Sequence, residues 1–168
     1  MDAQEKRIAG VWIRWLIRRD MPEVLEIENR SFQNPWTHDD FIACLRQRSV
    51  IGVVAESKGK GSTIFWFMLY ELHGDKLVLL NFAVAPEVRR TGVGLAMAQR
   101  LIDNLAQQRR RLITAETSEE NLPAQLFFAD CGFKANRCVD GQIKFQYVLT
   151  GSFPEWQGVN RMTECEGL

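Results

Sequence analysis

The sequence predicts a single α/β (α+β) domain in which helices flank one central sheet. The element order reads β-α-α-β-β-β-α-β-α-β-β, which combines hairpin-like connections with helical crossovers. The nearly continuous apolar run from Lys76 to Val84 favours a central strand covered on both faces. A chain of 168 residues can bury about two thirds of its unfolded surface as one domain. We assign this domain to residues 1–150 and predict no structure for the tail at 151–168.

The first strand and helix follow from periodicity and capping. Residues 11–18, VWIRWLIR, alternate in the way a half-buried strand does. Asp20 and Glu23 have the spacing of a capping box, and an apolar stripe at helical intervals follows them. A helix is therefore predicted to begin at Asp20.

A second helix is predicted to begin after Thr37. Thr37 and Asp40 have capping-box spacing, and Trp36 before the cap can pack on Phe41 as a hydrophobic staple. This helix is expected to run to about Gln47. Strands are then predicted at 50–55, at 63–72 and from Lys76 to Val84, separated by the turns ESKGKGS and HGDK.

An amphipathic helix is predicted directly after the glycine turn VRRTGVG at residues 88–94. Up to about Gln108, its buried face is expected to contain Leu95, Ala98, Leu101, Ile102 and Leu105. After a strand at 112–117, Asn121 can cap a short helix that Gly132 can end. The clearer of the two final strands is predicted at 143–149.

The glycine turn has the composition of a phosphate-binding site. Glycines at a helix start let the backbone approach a ligand, and the free N–H groups and positive dipole end favour an anion. Arg89 and Arg90 add positive charge, which favours a pyrophosphate. Met97 occupies the third glycine position of a Rossmann fingerprint, and no Walker sequence is present. The alternative is a helix start whose small residues serve only close packing.

Composition and charge narrow the class of protein. The formal net charge of zero argues against a protein that mainly binds nucleic-acid backbone. The first ten residues lack the apolar core of a signal peptide, and no run reaches the roughly 18 apolar residues of a membrane span. The four cysteines have no CxxC spacing and no histidine pattern near them. We therefore expect a cytoplasmic protein with reduced thiols, no metal site, and no membrane or direct nucleic-acid partner.

The segment LLNFAVAPEVRRTGVGL at residues 79–95 resembles the central acetyl-CoA motif of the GNAT N-acetyltransferases. Their signature R/Q-x-x-G-x-G/A reads Arg89-Arg90-Thr91-Gly92-Val93-Gly94 here. The resemblance covers about residues 12–149 and is greatest to RimI-like protein N-terminal (ribosomal-protein alanine) acetyltransferases. Residues 27–41 resemble their substrate-side helix and loop, and residues 115–133 resemble their fifth strand and following helix.

The resemblance implies the GNAT fold, a mixed and mostly antiparallel sheet of about seven strands splayed between strands 4 and 5 and flanked by about four helices. It implies acetyl-CoA as the cofactor and a primary amine as the acceptor. The expected acceptor is a protein or peptide N-terminus, ribosomal proteins included. Both a monomer and a homodimer are compatible with it.

The resemblance also implies roles for individual residues. Glu116 matches a glutamate at the end of the fifth strand and is expected to act as general base, directly or through water. Main-chain N–H groups of Phe82, Ala83 and Val84 are expected to polarise the acetyl carbonyl. Those of Arg90 to Leu95 would hold the pyrophosphate, and Asn121 would bind the pantetheine arm. The expected cofactor-binding set is Phe82, Ala83, Val84, Arg89, Arg90, Thr91, Gly92, Val93, Gly94, Leu95, Asn121 and Phe128.

Phe128 departs from the RimI-like pattern, which has a tyrosine as general acid seven residues after the asparagine. Loss of the hydroxyl is expected to slow turnover by about tenfold to a hundredfold, with water as the substitute acid. Phe32, Trp36 and Tyr147 are candidate acceptor-binding residues. Phe128 and the altered segment after Phe133 leave two alternatives open, a small-molecule amine or polyamine acceptor and a catalytically weak CoA-binding regulatory module.

Overall fold

The computed structural model describes residues 11–57, 61–107 and 110–149, with the main chain alone at 104–107. The strands are β1 (Val11–Trp15), β2 (Val50–Ser57), β3 (Ile64–His73), β4 (Lys76–Val84), β5 (Leu112–Ser118), β6 (Lys134–Val139) and β7 (Gln142–Val148). The helices are α1 (Met21–Asn29), α2 (His38–Leu45), α3 (Val93–Gln107) and α4 (Leu122–Asp130). The strands form one seven-stranded sheet in the order β1-β2-β3-β4-β5-β7-β6, which confirms the predicted fold class.

β4 and β5 separate over most of their length. They are the parallel pair of the sheet, and their pairing covers only Lys76–Leu112, Leu77–Ile113 and Val78–Thr114. Beyond these pairs β4 continues along β3 to Val84, and β5 continues along β7 to Ser118. The predicted splay between strands 4 and 5 is therefore confirmed. We call the gap between residues 79–84 of β4 and 115–118 of β5 the opening.

Apolar clusters cover the sheet on its two faces. Helices α3 and α4 pack on one face, which we call the α3 face, through side chains that include Leu101, Phe128, Leu77, Ile113 and Phe145. Helices α1 and α2 pack on the other, the α1 face, over β2, β3 and β4 through side chains that include Val24, Phe41, Val54, Phe67 and Ala83. The α1 face of β5, β7 and β6 lies beside these two helices rather than beneath them.

Two helix caps form as predicted. Thr37 Oγ1 accepts a hydrogen bond from the Asp40 N–H at 3.2 Å, and the Asp40 carboxylate accepts one from the Thr37 N–H at 2.8 Å. The rings of Trp36 and Phe41 meet edge to face with centroids 5.4 Å apart. Asn121 Oδ1 caps α4 by accepting from the Ala124 N–H at 3.2 Å. Local sequence spacing therefore defines both helix starts.

Asp20 is the N-cap residue of α1, as predicted, but the predicted capping-box hydrogen bonds are absent. The Asp20 carboxylate makes no cap hydrogen bond to α1 and instead accepts from the Ile17 N–H at 2.8 Å and pairs with Arg14 at 2.6 Å. Glu23, the other half of the predicted box, accepts from the Ile64 N–H of β3 at 2.8 Å. Asp20 is thus bound by residues just before α1, whereas Glu23 is used in a tertiary contact because β3 lies close to the start of α1.

Leu95 is also placed differently from the prediction. Its side chain is 54% exposed, whereas Ala98, Leu101 and Ile102 of the same predicted stripe are buried. The buried position in this first turn belongs to Met97. Leu105 and the tail at 151–168 lie outside the side chains and residues that the structure describes.

The described residues contain neither a membrane-spanning helix nor a cluster of metal-binding side chains. None of their helices is both long enough and apolar enough to cross a membrane. Likewise, within 11–57, 61–107 and 110–149, no three or more His, Cys, Asp and Glu side chains converge to hold a metal ion.

Candidate active site

The opening exposes main-chain amides of β4. Ala85 donates its N–H to the Phe65 carbonyl of β3 at 2.8 Å. Peptide groups alternate between the two edges of a strand, so Ala83 also faces β3, whereas Phe82 and Val84 face the opening. A β-bulge at the Leu80 position, where the β3 register shifts, lies where β4 leaves β5. Of the predicted carbonyl-polarising residues, Phe82 and Val84 thus present their N–H groups to the opening.

The turn between β4 and α3 brings backbone amides next to the opening. Arg90 and Gly92 have φ angles of 62° and 86°, and a Cβ on Gly94 would lie 3.1 Å from a Phe127 ring carbon of α4. The first helical hydrogen bond of α3 runs from the Ala96 N–H to the Gly92 carbonyl at 3.0 Å. The N–H groups of residues 93–95 precede this bond and have no acceptor within the helix. The turn therefore fits an anionic group such as a pyrophosphate.

Arg89 is turned towards the connection between α1 and α2. Its Nε donates to the Val84 carbonyl and its Nη2 to Ser31 Oγ, both at 2.9 Å. Glu87 of the same turn pairs with Arg30 at the end of α1. The Arg89 side chain, predicted to attract phosphate, is exposed but held by these two protein groups; the side chain of Arg90 is exposed as well.

Glu116 lies on the α1 face in the part of β5 that is paired with β7 but not with β4. Its side chain is 59% exposed, and Oε1 is 3.6 Å from Nζ of Lys144, its direct partner on β7. The flanking residues Ala115 and Thr117 are buried on the opposite side of the strand. A carboxylate at this position is accessible to an amine that reaches the opening from the α1 face.

Phe128 fills the α3 face of the opening. It is 2% exposed, and its ring lies 5.8 Å from Phe82 of β4 and 5.1 Å from Phe145 of β7, measured between centroids. Phe127 also meets Phe82, at 5.2 Å. These rings connect β4 with β7 on the face opposite Glu116, and they supply no proton donor there.

The three candidate acceptor residues occupy different parts of the molecule. Phe32 and Trp36 are half-buried in the connection between α1 and α2, against the cluster on the α1 face. Tyr147 packs on Phe133 with centroids 5.5 Å apart and belongs to the cluster on the α3 face. It pairs with Ile113 at the closed end of the splay. The structure therefore brings Phe32 and Trp36, but not Tyr147, to the face that carries Glu116.

Glu28 is a buried carboxylate that the sequence interpretation missed. It is 1% exposed, and it accepts hydrogen bonds from the Trp36 N–H at 2.8 Å and from Asn81 Nδ2 at 3.1 Å. Burial raises the pKa of Glu28, an effect that the two hydrogen bonds oppose in part. The available signal was helical spacing, because Glu28 follows Met21 and Val24 on the buried stripe of α1.

Comparison with known proteins assigns the family. Residues 13–133 match the model of the Acetyltransferase (GNAT) family. The chain belongs to the GNAT acetyltransferase family. This GNAT chain is 27% identical over 114 residues to the ribosomal protein bS18-alanine N-acetyltransferase of Escherichia coli K12, a match that covers 68% of this chain and 74% of that protein.

Solved structures share the fold. The crystal structure of the Escherichia coli ribosomal-protein-S18-alanine N-acetyltransferase superposes with a TM-score of 0.72 at 22% identity, covering 84% of this chain and 96% of that one. Spermidine N-acetyltransferase from Vibrio cholerae, in complex with CoA and spermine, gives 0.67 at 15% identity, with 84% and 96% covered. Enzymes with a protein acceptor and with a polyamine acceptor therefore share this architecture.

Membership of the GNAT family makes the protein an acetyltransferase that uses acetyl-CoA as donor and an amine as acceptor. Two features described above fit this cofactor. The amides of Phe82 and Val84 face the opening, and the amides of residues 93–95 precede the first hydrogen bond of α3. Both are donors of the kind that a thioester carbonyl and a pyrophosphate require.

Proposed function

We propose that this GNAT chain acetylates the α-amino group of a protein or peptide N-terminus, with Glu116 as general base. The observation that carries the proposal is the position of the Glu116 carboxylate, exposed in the opening on the α1 face. The connection that contains Phe32 and Trp36 borders the same face and supplies apolar surface for an acceptor. The alanine N-acetyltransferase activity in the name of the Escherichia coli relative supports the same acceptor class.

An N-terminal amine suits an exposed carboxylate as its base. An α-amine with a pKa near 8 is about one tenth neutral at pH 7, whereas a lysine near 10.4 is neutral in about one molecule in a few thousand. The enzyme therefore needs to remove far fewer protons before attack on an N-terminal acceptor. A lysine acceptor would require a base of higher pKa, or a site whose desolvation lowers the pKa of the lysine.

When bound, acetyl-CoA supplies the acetyl group as a thioester. Glu116 accepts the proton that the amine loses as the N–C bond forms and the C–S bond breaks, directly or through one water. The N–H groups of Phe82 and Val84 donate to the carbonyl oxygen as negative charge develops there. Water protonates the leaving sulfur, because Phe128 has no hydroxyl.

The remaining cofactor contacts are proposed at the turn and at α4. The amides of Val93, Gly94 and Leu95 bind the pyrophosphate, and Asn121 binds the pantetheine arm while its Oδ1 caps α4. Thr91 shapes the turn by donating its hydroxyl to the Val88 carbonyl at 2.6 Å. The exposed side chain of Arg90 supplies further positive charge at this turn.

Thiol release from acetyl-CoA tests the role of Glu116. With a peptide that begins with alanine, Glu116→Gln is expected to lower kcat by about 10²- to 10⁴-fold, the usual contribution of a general base. The affinity for CoA should stay unchanged, because the side chain lies on β5 away from the turn. Glu120→Gln, a matched change at an exposed carboxylate four residues along, serves as control. Equal activity of Glu116→Gln and the control would contradict the assignment.

A panel of acceptors tests the substrate class. It contains N-terminal peptides, among them that of ribosomal protein bS18, the same peptides with a blocked α-amine and an internal lysine, and spermidine. The proposal expects acetylation of free N-termini alone. Acetylation of spermidine alone would make the chain a polyamine acetyltransferase, and CoA binding without any acetylated amine would make it a CoA-binding regulatory module.

A further inference from the structure

Basic side chains lie next to Glu116 on the α1 face. Lys144 of β7 is paired directly with Glu116 on one side and with Arg137 of β6 on the other. In the neighbouring row Gln146 of β7 is paired with Lys134 of β6. Residues directly opposite each other on antiparallel strands share a face. Lys134, Arg137 and Lys144 therefore form one group on the α1 face, which we call the basic row.

Two charges of the basic row are available to a ligand. Lys144 Nζ is 3.6 Å from Glu116 Oε1, so its positive charge is partly neutralised by that carboxylate. Lys134 and Arg137 are exposed, and neither forms an ion pair with another residue in the described part of the chain. The acidic residues Glu119 and Asp140 lie at the end of the strands, where β5 stops and β6 turns into β7. An acceptor that extends from Glu116 across β7 towards Lys134 therefore runs away from both acidic residues.

Within the described residues, the helices pack mainly over strands other than those of the basic row, or on the opposite face. The main contacts of α1 and α2 are with β2, β3 and β4, and α3 and α4 pack on the opposite face. Every residue of β6 is exposed. An acceptor whose amine reaches Glu116 can therefore continue over β7 and β6 without displacing a helix.

We infer that the preferred acceptor carries acidic side chains within the first few residues after its acetylated N-terminus. Neighbouring strands lie about 4.8 Å apart, so β6 is about 10 Å from β5 across the sheet. An extended peptide advances about 3.3 Å per residue. Side chains two to four positions into the acceptor thus reach Lys144, Arg137 and Lys134. This inference rests on the proposed function, because it requires a peptide acceptor.

Matched peptides test the inference. Three peptides that begin with alanine carry acidic, neutral or basic side chains at the next three positions and are otherwise identical. At low ionic strength kcat/KM is expected to be about tenfold higher for the acidic peptide than for the neutral one, as for two exposed charge pairs. The basic peptide should be the poorest substrate, and added salt should shrink these differences.

The double variant Arg137→Glu, Lys134→Glu identifies the residues responsible. Both side chains are exposed on an edge strand, so the fold should tolerate the change. The variant is expected to prefer the basic peptide over the acidic one, which reverses the order of the wild-type protein. Arg18→Glu, Arg46→Glu introduces the same charge change at exposed positions near β1 and α2 and should keep the wild-type preference.

The outcomes of these assays distinguish failure of the inference from failure of the proposed function. Acetylation of all peptides with equal kcat/KM, or a preference that the double variant retains, overturns the inference and leaves the proposed function intact. Acetylation of spermidine but of no peptide overturns both. If the double variant loses binding of a labelled RNA while its peptide preference is unchanged, the basic row serves a nucleic acid and the inference is wrong.

Discussion

Asn81 donates its side-chain amide to the buried carboxylate of Glu28 at 3.1 Å, which joins the end of α1 to the strand that borders the opening. The other carboxylate oxygen accepts from the Trp36 N–H at 2.8 Å. Asn81 directly precedes Phe82, whose amide faces the opening. One side chain thus fixes the position of the α1–α2 connection relative to the amides of β4.

Replacement of Glu28 by alanine is expected to lower the free energy of unfolding by about 3 kcal/mol, because it leaves the Trp36 N–H and the Asn81 amide without acceptors in a buried site. Glu28→Gln should cost less than about 1 kcal/mol, since Oε1 can still accept from Trp36 and a rotated Asn81 can accept from Nε2. Urea denaturation followed by circular dichroism measures both values. Equal losses for the two variants would show that an amide of the same shape cannot replace the carboxylate and would contradict this prediction.

The pH dependence of stability provides a second measurement on Glu28. Burial raises the pKa of this carboxyl, so the folded protein binds the proton more readily than the unfolded chain. The resulting stability is present below the ordinary glutamate pKa and is lost as pH rises through the raised value. Relative to Glu28→Gln, the wild-type protein is therefore expected to lose stability over this interval. A difference that stays constant with pH would contradict the raised pKa.

Alanine at Gly92 or Gly94 is expected to weaken CoA binding for two separate reasons. Gly92 has a φ of 86° with open space around a Cβ, so the cost there is backbone strain of about 1 kcal/mol or more. A Cβ on Gly94 would lie 3.1 Å from Phe127, so that α3 or the ring must move. Calorimetric titration with CoA gives the affinities. Gly61→Ala, also at positive φ but in the β2–β3 turn, is the control expected to leave them unchanged.

Phe128→Tyr restores the hydroxyl found in the RimI-like pattern at a buried position. The ring is 2% exposed among other aromatic rings, so the added hydroxyl is expected to cost about 1–3 kcal/mol of stability. In the proposed mechanism the same hydroxyl protonates the leaving sulfur, and kcat should rise about tenfold. Phe127→Tyr changes a neighbouring ring that is only half-buried, so it should lower stability less and leave kcat unchanged. An unchanged kcat in Phe128→Tyr would mean that sulfur protonation does not limit turnover.

Asp20 is expected to stabilise the protein above about pH 4 and to lose this effect in acid. Burial alone would raise the pKa of Asp20, but hydrogen bonds from Arg14 and the Ile17 amide hold it below its ordinary value of 3.8. A carboxyl with a lowered pKa contributes stability above the unfolded value, which disappears as pH falls through the folded one. Asp20→Asn should cost about 1–3 kcal/mol at pH 7. Thermal unfolding of both proteins at decreasing pH should show this difference vanish.

Interactions between residues close in sequence could be predicted. The Thr37–Asp40 box and the Asn121 cap use groups three residues apart, so spacing alone determines the bond. Asp20 has the same spacing to Glu23, yet Arg14 and the Ile17 amide compete successfully for its carboxylate. The Ile17 amide has the same three-residue spacing on the other side of Asp20, so spacing alone cannot decide which bond forms.

In the candidate site, too, features set by local sequence could be predicted, whereas features set by the packing of helices on the sheet could not. The glycine turn and the sheet position of Glu116 follow from the motif and strand order. Tyr147 belongs to a correctly predicted strand, but only the helix positions reveal that it faces the α3 side. The Glu28–Asn81 bond joins residues 53 apart in sequence, and its buried carboxylate resembles a surface residue until the helix is packed.

The separation of β4 from β5 creates two internal strand edges in a sheet of seven strands. Edges of this kind ordinarily recruit a foreign strand and seed aggregation. Here Phe82 and its neighbouring rings close one side of the gap, and residues 115–118 of β5 are held by β7. The N–H groups of Phe82 and Val84 at this edge therefore stay available to an extended ligand that carries carbonyl groups. CoA bound along this edge is expected to cover those amides, so the protein should self-associate less with the cofactor than without it.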